Sequence, residues 1–263
     1  MRGKVEMASY SCLELNLAGS VGVIRLTRPD LHNRFDAALH TEFPEALAEA
    51  SASPELAALL IAAEGKSFSA GGDLNMMLEA NRSPELRARL KSEAIAIIDG
   101  LIDFPVPVIA AVQGNAIGLG ATILACCDMV VASRNARIAD PHVLLGLAAG
   151  DGGVLGWSQS LGVLRAKRYL LTGDSLTGEQ AHAIGLVSDL VETGSDCEPA
   201  AQALASRIAL LPRSGVTATK RAFSRLVKDQ YRAAFLLSLD LEMETLASQE
   251  VRTILEQKLG AAP

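Results

Sequence analysis

Hydrophobic positions along the chain switch between alternation and a helical period of three to four. Residues 20–26 (SVGVIRL) alternate and are β-branched, which predicts a strand paired with residues 13–17. Asp36 is placed to cap a helix reaching about residue 50, with Leu39, Phe43 and Leu47 on one face. Residues 56–65 (LAALLIAAEG) form a continuous apolar run that predicts a buried strand ending at Gly65, followed by a small-residue loop, SFSAGGDL. Ser83 and Pro84 then open a helix to about residue 102. FPVPVIAAVQG predicts a core strand, GLGATILACC the start of a helix, and CDMVVAS another strand. Beyond Asp151 helical periods dominate at 153–161, 164–171 and 177–184, then a short strand at LVSDLV and three more helices. The pattern predicts an α/β core over residues 1–195 and a helical C-terminal region over 196–263, with no Pro/Gly-rich linker between them.

Composition narrows the function classes. Across 263 residues, 49% are hydrophobic but only 4% aromatic, so the core must be aliphatic and alanine-rich, unlike an aromatic platform for nucleic acid. A net charge of −6 argues against a general polyanion binder, though not against a small anionic ligand. The four cysteines form no CxxC pair and suit buried, reduced thiols of a cytosolic protein. The opening MRGKVEMASY has no apolar h-region. The most apolar stretch, residues 106–132, is broken by Gln113, Asn115, three glycines and Asp128, which excludes a membrane span there. The expectation is a cytoplasmic protein without nucleic-acid or membrane partners.

Two loops share one logic. In IAAEGKSFSAGGDL and in VIAAVQGNAIGLGATIL a buried strand runs into a glycine-rich turn before a helix. Glycines there let backbone N–H groups approach a ligand, and two converging N–H groups can stabilise an enolate or tetrahedral oxyanion. Tight turns without function have the same appearance. The second loop is not a dinucleotide fingerprint, because Ile123 stands where the third glycine belongs. A third stretch, ADPHVLLGLAAGDGG, carries His142 and Asp151. If Asp140 caps a short helix with Pro141 in its first turn, the helix dipole disfavours imidazolium and leaves His142 neutral, as a base or polariser. Asp151 could orient that ring, take its charge or protonate a substrate carbon; equally, it could cap the next helix. No third ligand stands at a familiar spacing, so no metal is expected. Glu242 and Glu244, on a C-terminal helix, could contribute a carboxylate but read better as a solvated helix face.

In order along the chain, RPDLHNRFD, LAALLIAAEG with KSFSAGGDL, PVIAAVQGNAIGLGATILACCDMVVAS, ARIADPHVLLGLAAGDGG and RAKRYLLTGDSLTGEQAHAIGLVSDLV resemble the crotonase (enoyl-CoA hydratase/isomerase) superfamily over roughly residues 12–260. The resemblance implies a spiral of repeated ββα units with a helical C-terminal part that often completes a neighbour's site, in a homotrimer or a dimer of trimers. It implies an oxyanion hole at the backbone N–H groups of Gly72 and Leu119. It also implies coenzyme A as part of the substrate, held around Ser67, Phe68 and Ala70 with Arg28 and Lys66 near its phosphates; no tightly bound cofactor is expected. The two glutamates of the family's hydratases correspond to Thr122 and His142, so this is an atypical member whose protons would be moved by His142 and Asp151. His40, on the helix after Asp36, lies near the family's acyl pocket. A histidine there, with a His and an Asp at similar spacing, occurs in the family's β-diketone hydrolases, which cleave a carbon–carbon bond. Three functions remain open: an acyl-CoA-processing hydratase or isomerase, such a hydrolase, or a CoA-binding protein without turnover.

Overall fold

The computed structural model describes residues 9–260. The leader question raised by the first ten residues therefore falls mostly outside the described residues. Strand β1 (Leu13–Asn16) pairs antiparallel with β2 (Val21–Leu26) at one edge of a six-stranded sheet. The rest of that sheet is parallel: β3 (Ala58–Ala63), β5 (Val108–Val112), β7 (Met129–Ser133) and β10 (Asp189–Val191) follow in that spatial order.

A second sheet is built from pieces too short for a sequence pattern to declare. Strands β4 (Ser67–Ser69), β6 (Asn115–Ile117) and β8 (Arg137–Ala139) pair in parallel, and β9 (Leu176–Thr177) closes the edge antiparallel to β8. Each long strand thus turns a corner into a short one before its helix. Three such turns stack: β3–β4 before α2 (Leu74–Arg82) and α3 (Pro84–Ile102), β5–β6 before α4 (Leu119–Cys126), and β7–β8 before α5 (Gly153–Leu161). This is the expected spiral of ββα units. Helix α1 (Ala37–Ser51) precedes the first turn; α6 (Val163–Leu170) and α7 (Gly178–Ile184) follow the third.

Local chemistry sets the helix starts. The Asp36 carboxylate accepts the Leu39 N–H at 3.1 Å, Asp73 that of Met76 at 2.8 Å, and Ser83 that of Leu86 at 3.1 Å. SFSAGGDL, read as loop throughout, in fact holds β4 and the cap of α2. Three residues have no periodicity of their own, and β4 exists because β6, forty-odd residues later, supplies its ladder.

The main core is aliphatic and lies between the large sheet and helices α1, α3, α4 and α5. Strand β3 is buried on both faces: Leu59 and Ile61 join that core, while Ala58, Leu60 and Ala62 meet α8 (Gly194–Ala209) through Cys197, Ala201 and Ala205. Small side chains on both partners let this helix lie close to the sheet. The four cysteines are free thiols, all but Cys127 buried. Helix α9 (Arg213–Leu246) runs back across the molecule, and α10 (Gln249–Gly260) packs on α2 beside the third apolar cluster, around Met76, Leu147, Leu246 and Val251. No helix among the described residues is long and apolar enough to cross a membrane.

Gly71 shows how tightly the spiral's corners meet. Its φ is +83°, and a Cβ there would lie 2.6 Å from the Ile117 carbonyl oxygen, a backbone atom of the next turn. Gly71→Ala is expected to cost about 2 kcal/mol or more in urea unfolding, from left-handed strain plus displacement of that carbonyl. Gly215→Ala, with open space around it in α9, should instead gain a few tenths to about 1 kcal/mol. Equal effects at the two positions would contradict this account.

Candidate active site

The Gly71 contact brings two strand ends side by side. On the first, the Phe35 N–H donates to the Gly71 carbonyl at 2.7 Å and the Asp73 N–H to the Phe35 carbonyl at 3.0 Å. The peptides on either side of Gly72 are fastened in this way, while the Gly72 N–H finds no acceptor among the described residues. On the second, the Gly118 N–H donates to the Ala139 carbonyl at 2.9 Å, and Leu119 opens α4, whose first backbone bond runs from Thr122 N–H to the Gly118 carbonyl at 2.9 Å. The Leu119 N–H, in the first turn, has no intrahelical partner. Gly72 and Leu119 line one enclosed cavity of about 50 Å³, with Met76, Met77 and Leu147 among its apolar walls. His40, His142, Asp151 and Glu242 face the same space.

His142 sits at the start of a four-residue 3-10 turn (His142–Leu145), not at an α-helix N-terminus. Its ring nitrogen Nδ1 donates to Asp140 Oδ1 in a short contact, and Asp140 also accepts the His142 backbone N–H at 3.3 Å. On the other side, Nε2 lies 3.5 Å from Asp151 Oδ2 and 3.8 Å from Glu242 Oε1. The Thr122 hydroxyl donates to Asp151 Oδ1 at 2.9 Å.

These neighbours reverse the charge expected for the ring. Burial alone disfavours imidazolium, but Asp140, Asp151 and Glu242 outweigh it and hold the proton affinity of His142 well above the ordinary value. The dipole of a one-turn helix cannot compete with three adjacent carboxyl groups. Burial raises the Asp151 carboxyl against the opposing pull of His142, and raises Glu242 to about 8. Asp140 holds the Nδ1 side of the ring, while Asp151, for which orienting the ring was one of three possibilities, faces the far nitrogen.

Sequence reasoning placed Glu242 on a solvated face; it is 7% exposed, whereas Glu244 is exposed. The signal was present: Phe235, Leu239, Glu242 and Leu246 form the buried stripe of α9, so Glu242 occupies an apolar position of that helix. The helix belongs to the same chain as His142, so this C-terminal carboxyl completes its own chain's site.

His40 is buried, its ring edge-on to Phe35 and its Nδ1 3.9 Å from Glu93 Oε2. Arg28 is neither solvated nor free: it pairs with Asp36 through bonds of 2.6 and 2.9 Å and reaches the Arg34 carbonyl at 3.2 Å. Lys66 is exposed and borders a surface hollow with Gln113 and Ser195. Ser67 and Phe68 are buried in β4, the Ser67 carbonyl accepting the Asn33 amide at 2.9 Å. Ala70 is exposed, with its N–H donated to the His32 carbonyl at 2.9 Å. A third potential metal donor also emerges, since Asp140, His142 and Asp151 present ligand atoms within 4.8 Å of one another. It was invisible in spacing because Asp140 had been read as a cap.

The sequence and the fold have known relatives. The family model described as Enoyl-CoA hydratase/isomerase matches residues 16–258. The chain belongs to the enoyl-CoA hydratase/isomerase family. It is 34% identical over 207 residues to the 2,3-dehydroadipyl-CoA hydratase of Escherichia coli (strain K12), covering 76% of each chain. It is 32% identical over 212 residues to a short-chain-enoyl-CoA hydratase of Clostridium acetobutylicum, covering 80% of each. The crystal structure of an enoyl-CoA hydratase/isomerase from Mycobacterium paratuberculosis superposes with a TM-score of 0.90 at 31% identity, over 95% of this chain and 100% of that one.

The two histidines should titrate in opposite directions. Imidazole NMR is expected to find His142 protonated well above its ordinary range, and Asp140→Asn should bring that titration down. Burial, with the Arg89 guanidinium adding to it, lowers His40 from 6.5 to about 4. The unfolded chain therefore binds a proton that the folded one refuses. Stability is full above pH 6.5 and falls as pH drops toward 4, by up to roughly 3 kcal/mol. Urea unfolding of His40→Gln should lack that component; an unchanged pH dependence would refute the assignment.

Proposed function

We propose that the protein is an acyl-CoA-processing enzyme of the enoyl-CoA hydratase/isomerase type, in which the thioester carbonyl lies against the Gly72 and Leu119 N–H groups as it becomes an enolate. The observation that carries this reading is the shared cavity: Gly72, Leu119, His142 and Asp151 line one small, largely apolar space, with His142 Nε2 3.5 Å from Asp151 Oδ2. Donors held there need no reorganisation as charge develops on oxygen, and one such donor contributes about 3–4 kcal/mol of transition-state stabilisation. Asp140 orients the ring, Thr122 holds Asp151, and the His142–Asp151 pair takes the proton that water gives up. Coenzyme A enters as part of the substrate, and the assembly is a homotrimer or a dimer of trimers.

A second reading, carbon–carbon cleavage of a β-diketone, is favoured by a different observation. Where hydratases of this family carry two glutamates, this chain has Thr122 and a carboxylate-flanked imidazole, while Arg28, one candidate for a phosphate, is engaged by Asp36. In that reaction the pair activates water toward one carbonyl, the same two amides hold the departing enolate, and His40 contacts the second carbonyl.

Purified protein should be offered a panel of enoyl-CoA thioesters beside cyclic and linear β-diketones, with product formation measured directly. Turnover of a thioester supports the first reading and of a diketone the second; thioester binding without turnover would leave only a CoA-binding role. His142→Ala should lower the detected activity by about 10²–10⁴-fold. Asp151→Asn should depress kcat far more than substrate affinity. Full activity in His142→Ala would overturn the proton-transfer assignment.

A further inference from the structure

The proposed chemistry leaves one proton to be found. Both readings pass through an enolate, and an enolate becomes product only when an acid protonates its carbon. The group that takes a proton from water cannot also be the neutral acid waiting for that carbon. The cavity holds one more carboxyl than the His142–Asp151 pair accounts for. It comes from α9.

Resting on that enolate reading, we propose that Glu242 is a catalytic acid of this site, a neutral carboxyl that delivers its proton to the substrate carbon beside the held carbonyl. Its Oε1 lies 3.8 Å from His142 Nε2, and its Oε2 is buried with no hydrogen-bond partner among the described residues. An unpartnered, buried carboxyl oxygen in an apolar wall is costly as an anion and far less so as an acid. Gly150 lets α9 approach closely: a Cβ there would lie 2.3 Å from the Ser238 carbonyl oxygen, 2.5 Å from the Glu242 Cβ and 2.8 Å from its Oε2. The charged and titratable groups facing it are His142, Asp151 and Asp140, with His40 on the same cavity. Burial raises the Glu242 carboxyl to about 8 against the opposing pull of His142.

The step balances within the site. Water gives a proton to the Asp151 carboxylate as its oxygen bonds the electrophilic carbon. The C=C π bond of an enoyl thioester, or the C–C bond of a diketone, breaks, and its electron pair becomes the enolate with its oxygen at the two amides. The Glu242 O–H bond breaks, and the enolate electron pair takes that proton to make the new C–H bond. The Glu242 carboxylate then takes the Nε2 proton of His142, and Asp151 returns its proton to the ring. One water is consumed and every group regains its starting state.

The test uses Glu242→Gln, which keeps the shape and cannot donate as an acid, with Glu242→Asp as a second variant. Infrared titration of the substrate-free protein should find a carboxyl proton lost near pH 8 in the wild type and absent from Glu242→Gln. With whichever substrate class the wild type accepts, Glu242→Gln should lower kcat at least about 100-fold with KM changed by less than about threefold, and Glu242→Asp should recover part of the loss. Three results overturn the inference: the carboxyl signal persists in Glu242→Gln, that variant turns over within about twofold of wild type, or elemental analysis finds one divalent cation per chain held by the cluster in place of the proton. A wild type inert toward both substrate classes would sink the proposed function instead. The infrared titration would still decide where the proton resides, and its absence from Glu242 overturns the inference on its own.

Discussion

The site depends on the side-by-side approach of two strand ends with no side chain between them. Gly71 faces the Ile117 carbonyl, and Gly120 lies over Ser69, where an added Cβ would come within 2.8 Å of the Ser69 Cβ. Parallel pairing of β4 with β6 sets the height of these ends, and the missing Cβ atoms let them close. Only then do two amides belonging to residues 47 positions apart border the same small cavity. An ordinary side chain at Gly71 would separate the corners and take the amides with them.

Around that cavity the decisive quantity is charge confined to a small buried space. Asp140, Asp151 and Glu242 surround one imidazole, and each carboxyl changes what the others can be. Asp140, bound to Nδ1, keeps the ring oriented and charged. Asp151, tied to Thr122, keeps one oxygen toward Nε2. Glu242 has no such tie among the described residues, and burial raises its carboxyl to about 8. A cluster of this kind can take a proton and give one without a change of partners, as a two-carboxylate site does by a different division of labour.

The same economy marks the rest of the chain. With few aromatics, close packing is achieved by alanine and glycine, as where Ala201 and Ala205 of α8 seat against Ala58 and Ala62. Cations that could have been free for ligands are often used internally. Arg28 braces Asp36, the cap of α1, and Lys220 is buried against Asp128. Lys66 is one that remains at the surface.

By itself the sequence determined the long elements, because their signals are local. The alternation of β2, the apolar runs of β3 and β5, and the caps Asp36 and Ser83 each act within a few residues. It also carried the two glycine loops and the His142–Asp151 stretch, whose residue types are unusual enough to stand out singly. Only the tertiary structure decided the short strands β4, β6 and β8, which exist through pairing with one another. It alone decided the raised proton affinity of His142, the placing of Asp140 and Asp151 at opposite ring nitrogens, and the arrival of Glu242 from a helix about a hundred residues downstream. Protonation in a closed space depends on every charge within a few ångströms, and no spacing along the chain records which carboxyl groups those will be.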